Sequence, residues 1–144
     1  MSKLTQSARG NRKQKSLAKL KKEAWDLLSK IVRITYANSR GYVTCYTCGA
    51  IKHWKEMQAG HAIPGRTESV LLDEEILRPQ DSACNVWKNG MHHIFTTKLI
   101  EERGMDWWRE KLLQSNRVKK WDRVELEKLI ERYKSRLKEL EAYK

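Results

Sequence analysis

The sequence predicts an α+β fold, mostly helical, organised around a small core stapled by a metal ion. Three observations carry this expectation. Long stretches place apolar residues at three- and four-residue steps, the spacing of a helix with one buried face. Cys45 and Cys48 are separated by two residues, as on a tight turn that can grip one ion, and Cys84 stands downstream to close the site. The formal net charge of +12 predicts a polyanionic partner.

In chain order, residues 1–14 are polar, basic and without periodicity, and they predict a flexible arm. Residues 1–22 hold eight Lys or Arg and no acid. Arg9, Arg12, Lys13, Lys15, Lys19, Lys21 and Lys22 are therefore the candidate DNA-binding cations. A first helix begins near Leu17, with Leu20, Ala24, Leu27, Leu28, Ile31 and Ile34 on one stripe. Gly41 ends the turn after it, and residues 41–46 predict a short strand delivering Cys45 to its turn. Residues 51–59 predict a second extended segment, and residues 61–77 a loop with a strand around 70–72. A helix is expected near Ser82. Residues 93–103 form another, stopped by Gly104, and Asp106 is expected to cap the next. Asp122 with Glu125 three residues on predicts the start of a last helix. Its stripe of Leu126, Leu129, Ile130, Tyr133, Leu137 and Leu140 could dock on the domain or pair with a second copy. The organisation expected is a basic arm (1–14), a domain with its N-terminal helix (15–120) and a C-terminal amphipathic helix (121–144).

Composition narrows the class. Three cysteines, with no N-terminal apolar stretch resembling a signal peptide, argue against a disulfide framework and for a reducing cytoplasm. No apolar run is long enough to span a bilayer.

The chemistry is concentrated in Cys45 and Cys48, then Gly60-His61, then Cys84-Asn85. This order is the layout of a zinc-stapled ββα-metal core, treble-clef-like and of the His-Asn-His (HNH) kind. Three thiolates leave one zinc position open. Asp81, three residues before Cys84, can supply a carboxylate oxygen or can cap the helix, and His53 is the next candidate. His61 is suited to take a proton from water at neutral pH. The amide oxygen of Asn85 can bind a hard ion such as Mg²⁺ or Mn²⁺ at a scissile phosphate. Arg66 is placed to offset charge in the transition state. His93, two helical turns beyond Asn85 if the helix is continuous, is a further candidate ligand for the catalytic ion. The competing class is a non-catalytic zinc module that uses the same basic surface.

These residues resemble the lambdoid phage NinG family, also called Rap. The likeness lies in GYVTCYTCG at 41–49, KHWKEMQAGH at 52–61, IPGR at 63–66, Pro79-Gln80, Cys84-Asn85, KKEAW at 21–25 and EERG at 101–104. The resemblance implies a recombination endonuclease that cuts branched DNA, such as D-loops and Holliday junctions, with Mg²⁺ or Mn²⁺. A resolvase cuts two strands, so a homodimer through the C-terminal stripe is an expectation. Three positions depart from the pattern. Asp81 stands where members carry Cys, and Ile76 where they tend to have the middle Asn. Gly60 stands where many ββα-metal nucleases have an Asp ligand, so the ion is expected to use water, His93 or an acid from Asp73, Glu74 or Glu75.

Overall fold

The computed structural model describes residues 14–64 and 68–143. Arg9, Arg12, Lys13 and Arg66 lie outside the described residues. The first helix, α1 (Leu17–Thr35), starts where the Ser16 hydroxyl accepts a hydrogen bond from the Lys19 amide, satisfying one of the free N–H groups of its first turn. Leu20, Ala24, Leu28 and Ile31 recur at helical spacing and are buried. The chain then turns on Asn38, whose Oδ1 accepts from the amides of Arg40 and Tyr42.

Strands β1 (Tyr42–Thr44) and β2 (Ile51–His53) form an antiparallel hairpin with Tyr42 opposite His53. Strand β3 (Gln58–His61) pairs antiparallel with β4 (Leu77–Gln80), setting Ala59 opposite Pro79 and His61 opposite Leu77. The strand expected around 70–72 is instead a 3₁₀ turn, Glu68–Val70, and the true partner strand follows a second one, Glu74–Ile76. All four residues of β4 are buried, so the strand shows no alternation, and Pro79 disguises it further. Pro79 has no N–H to donate, but its carbonyl accepts from the Tyr46 amide at 2.9 Å.

A π-helix, Ala83–Trp87, follows β4, then a 3₁₀ turn, Asn89–Met91, then α2 (His92–Arg103) and α3 (Met105–Ser115). Asp106 lies in the first turn of α3, but the cap position is Gly104, at φ 92°. The last helix, α4 (Arg123–Tyr143), begins as the sequence predicts: Asp122 Oδ1 accepts from the Glu125 amide at 2.8 Å.

Three cores result. Leu126, Ile130, Tyr133 and Leu137 of α4 join the buried stripe of α1, with Ala59 and Leu77 of the β3–β4 pair beneath them. The C-terminal stripe thus packs within the chain against α1, with Leu129 and Leu140 partly buried at its side. Phe95, Leu99 and Trp108 close a second core over Ile63, Val70 and Ile76. Ala37, Val43 and Met57 surround Cys45 and Cys84 in a third. Among the described residues no helix is long and apolar enough to cross a membrane.

Because Leu126 is fully buried at the meeting of α1 and α4, Leu126→Ala should cost about 2–5 kcal/mol of unfolding free energy. Urea denaturation followed by circular dichroism measures this, and a loss below about 1 kcal/mol would mean that α4 docks only loosely.

Candidate functional site

Cys45 leaves β1 into a turn closed by the Gly49 amide on the Cys45 carbonyl, 3.0 Å, and by the Cys45 amide on Ala50, 2.8 Å. Gly49 sits at φ 81°, a left-handed conformation that glycine adopts without strain. Cys84 comes from the other side, on the π-helix, whose start is held by the Asp81 carbonyl accepting from the Cys84 and Asn85 amides. The three sulfurs lie within 4.8 Å of one another. A tetrahedral zinc with bonds of about 2.3 Å sets its sulfurs about 3.8 Å apart, so a small contraction closes the set.

The thiols are electrostatically unequal. Burial raises Cys45, yet the Asp81 amide at 3.2 Å, the Thr47 hydroxyl and the amides of its own turn outweigh burial and bring it to about 7. The Ala50 amide lowers Cys48, but burial and the neighbouring Cys45 and Cys84 prevail and push it up to about 11. One thiolate therefore opposes the next, and a dication removes that opposition. Soft sulfur donors in a small, mostly buried cluster suit zinc.

Asp81 does not belong to this cluster. Its carboxylate accepts from Lys52 Nζ at 2.9 Å, and that ammonium holds it below the usual carboxylate range. His53 is also engaged elsewhere: its Nδ1 accepts from the Lys55 amide, and its ring lies against Gly41, which leaves no room for a side chain there.

His61 closes β3. Its Nε2 lies 3.0 Å from the Leu71 carbonyl. A carbonyl only accepts, so Nε2 carries the hydrogen and Nδ1 keeps its lone pair. The ring stacks on Trp25 of α1, centroids 4.5 Å apart at 20°. Burial lowers the His61 pKa below 6.5, and the Leu71 carbonyl offsets this only in part. The imidazole is thus held neutral and oriented.

Asn85 Nδ2 donates to Gln58 Oε1 at 2.8 Å, at the other end of β3. Among the described residues its Oδ1 has no hydrogen-bond partner. Trp25, Ser29 and Arg33, at four-residue steps on α1, face Gln58, Ala59 and Asn85 across a cleft of about 240 Å³. Arg33 clamps α1 to the approach to β3 through the Trp54 and Met57 carbonyls. Trp25, which stacks on His61, also lines the cleft that holds Asn85, while His61 itself is not among the residues lining it.

The other candidates are placed apart. Asn89, Gly90 and Met91 have φ of 52°, 84° and 49°, so the backbone is broken between Asn85 and α2. His93 is exposed at the start of α2 rather than two turns along a continuous helix. His92 Nδ1 sits 3.1 Å from the Ala62 carbonyl in a packing role. Of the acids considered for a catalytic ion, Asp73 pairs with Lys111, Glu74 with Arg136, and Glu75 with Arg103 and Lys111. Among the basic candidates, Lys15 pairs with Glu23, Lys21 with Glu68 and Lys22 with Asp26, while Lys19 makes no ion pair among the described residues. Sequence reasoning missed the roles of Trp25, Gln58 and Gln80. The one legible sign was the Trp25, Ser29 and Arg33 stripe flanking the apolar face of α1.

Gly60 lacks a ligand side chain for a packing reason. A Cβ there would lie 1.8 Å from Gln80 Oε1. Gln80 is fully buried, and its Nε2 is held by the Gly90 carbonyl at 2.9 Å and Thr47 Oγ1 at 3.1 Å.

The family model described as bacteriophage lambda NinG protein matches residues 2–143. No curated protein and no solved structure matches the chain.

Metal should be part of the fold. Purified protein is expected to carry roughly one zinc per chain, because binding to a preformed thiol set stabilises the folded state. Cys48→Ser should lose the metal, and chelation should lower the thermal midpoint. An unchanged midpoint in chelated protein, checked by metal analysis, contradicts this.

Proposed function

The chain belongs to the bacteriophage lambda NinG protein family, and from that premise and the site we propose that it is a phage recombination endonuclease of the HNH, ββα-metal type. Its substrate is branched DNA, such as D-loops and Holliday junctions. The observation that supports this most directly is the state of His61: buried against Trp25, its Nε2 committed to the Leu71 carbonyl, and its Nδ1 basic. In this reading His61 Nδ1 takes a proton from water as the water oxygen bonds to phosphorus, and the bond from phosphorus to the leaving sugar oxygen breaks. The His61–Leu71 hydrogen bond keeps the ring aimed, and the Trp25 stack excludes bulk water from one face.

Asn85 Oδ1 would be the protein atom that holds a catalytic divalent ion, and Mg²⁺ or Mn²⁺ held there would offset charge on the phosphate. Neither Gly60 nor the ion-paired acids Asp73, Glu74 and Glu75 add a carboxylate there. Zinc at Cys45, Cys48 and Cys84 is structural and holds the element that bears Asn85. Lys19, Lys21 and Lys22, with the basic residues before them, supply phosphate contacts, and Arg66 remains the candidate for charge on the transition state.

That absence of a carboxylate favours a second reading, a non-catalytic zinc module that binds recombination intermediates. One experiment separates the two. His61→Ala protein, zinc-loaded, should nick a branched substrate about 10²–10⁴-fold more slowly than wild type with little change in affinity. Nicking at the wild-type rate overturns the role of His61, and a wild-type protein that binds but never nicks supports the module.

The pH profile gives an independent check. Because burial moves the His61 pKa down from 6.5, the base is mostly neutral at pH 6.5 and above, and the midpoint of the acid loss of rate should lie below 6.5. Nicking measured from pH 5 to 8 in constant ionic strength should therefore show an acid limb centred under 6.5. A midpoint above 6.5 would assign the limb to another group.

A further inference from the structure

Trp87 is 82% exposed and its neighbour Val86 55%. A tryptophan can bury about 150–250 Å² of surface, so a ring left open on a folded element is a site seeking a partner. Its position is fixed rather than incidental. Trp87 ends the π-helix whose second residue is Cys84 and whose third is Asn85. Beyond it the Lys88 amide donates to the Ala83 carbonyl at 3.0 Å, and the chain turns away through Asn89, Gly90 and Met91. The Gly90 carbonyl is tied to Gln80 Nε2. The indole thus projects from an element anchored at both ends.

Its distance and charge point to one kind of ligand. Two backbone steps put the Trp87 Cα at most about 7.6 Å from that of Asn85. That span matches about two nucleotides at a rise of roughly 3.4 Å each. From Ser82 to Ile100 there is no Asp or Glu, while Lys88, His92, His93 and Lys98 occur there. An aromatic face followed in the chain by an exposed cation, Lys88, suits a nucleobase whose phosphate lies alongside. In paired duplex DNA both faces of a base are occupied by its stacked neighbours. An unpaired base at a branch point has a free face.

We propose that Trp87 is a stacking platform for an unpaired base at the branch of a DNA substrate, with Lys88 beside the adjoining phosphate. The platform selects branched over continuous duplex DNA and sets which phosphate reaches Asn85. It rests on the reading of this protein as acting on branched DNA, whether or not it cleaves.

The test uses the full-length, zinc-loaded chain and equilibrium binding without divalent ions, so no cleavage is needed. A three-way junction and a matched linear duplex each carry 2-aminopurine, unpaired at the branch in the former. Wild-type protein should quench the branch probe and prefer the junction. Trp87→Ala should abolish the quenching and weaken junction binding by roughly 5- to 150-fold, the range for losing one stacked base. Duplex affinity and zinc content should not move, and Trp87→Phe should restore most of the quenching. Trp87→Ala protein that quenches and prefers the junction like wild type overturns the platform. So does a variant whose only change is weaker self-association in sedimentation, which would assign the indole to a second copy of the chain. Failure of wild-type protein to nick the junction when Mg²⁺ is added, with the binding results as expected, would overturn the nuclease reading and leave the platform standing.

Discussion

Three thiols drawn from segments almost forty residues apart in sequence meet within 4.8 Å, and much of the site hangs on that meeting. Cys45 accepts hydrogen bonds that favour its thiolate, and Cys48 is pushed the other way by its neighbours. A dication held by the three thiols would reconcile them and join the end of β1 to the π-helix, the element that carries Asn85 against Gln58 and bears the exposed Trp87. Among the described residues the buried apolar core around the thiols is small, Ala37, Val43 and Met57 with Ala50, Trp54 and Met91 partly buried against it, so a bound metal would add what hydrophobic burial there does not.

Helix α1 carries two separate tasks on two stripes. Its apolar stripe joins α4 and the β3–β4 pair. Its neighbouring stripe of Trp25, Ser29 and Arg33 forms one wall of the cleft, and Trp25 also covers His61. Packing and site geometry are thereby coupled: a shift of α1 on α4 moves the ring that stacks on His61. Arg33, bonded to carbonyls between β2 and β3, resists that shift.

The space beside Gly60 shows how a missing ligand follows from packing. Gln80 fills it, bridging Gly90 and Thr47 and so linking β4, the thiol turn and the chain beyond the π-helix. A carboxylate at position 60 and Gln80 in its present place are mutually exclusive. The protein has the internal link instead of an anionic side chain at position 60. The acids of the following loop pair with Lys111, Arg103 and Arg136.

Local patterns in the sequence determined the helices, the thiol turn and the α4 cap, because each rests on spacing within a few residues. The heptad-like stripe of Leu126 to Leu137, the Asp122 and Glu125 cap and the pair Cys45 and Cys48 are of this kind. The same local logic failed for β4, whose wholly buried residues and Pro79 hide its period, and for Asp106, displaced from the cap by Gly104. It could not choose between zinc ligation and a helix cap for Asp81, whose carboxylate pairs with Lys52, nor decide whether the α4 stripe faces α1 or a second copy. Those outcomes depend on which distant surfaces come together. The carbonyl of Leu71 on His61, the ring of Trp25 above it and Gln58 against Asn85 are contacts between residues 10 to 36 apart. Only tertiary packing, where burial and hydrogen-bond satisfaction are settled for all segments at once, assigns them.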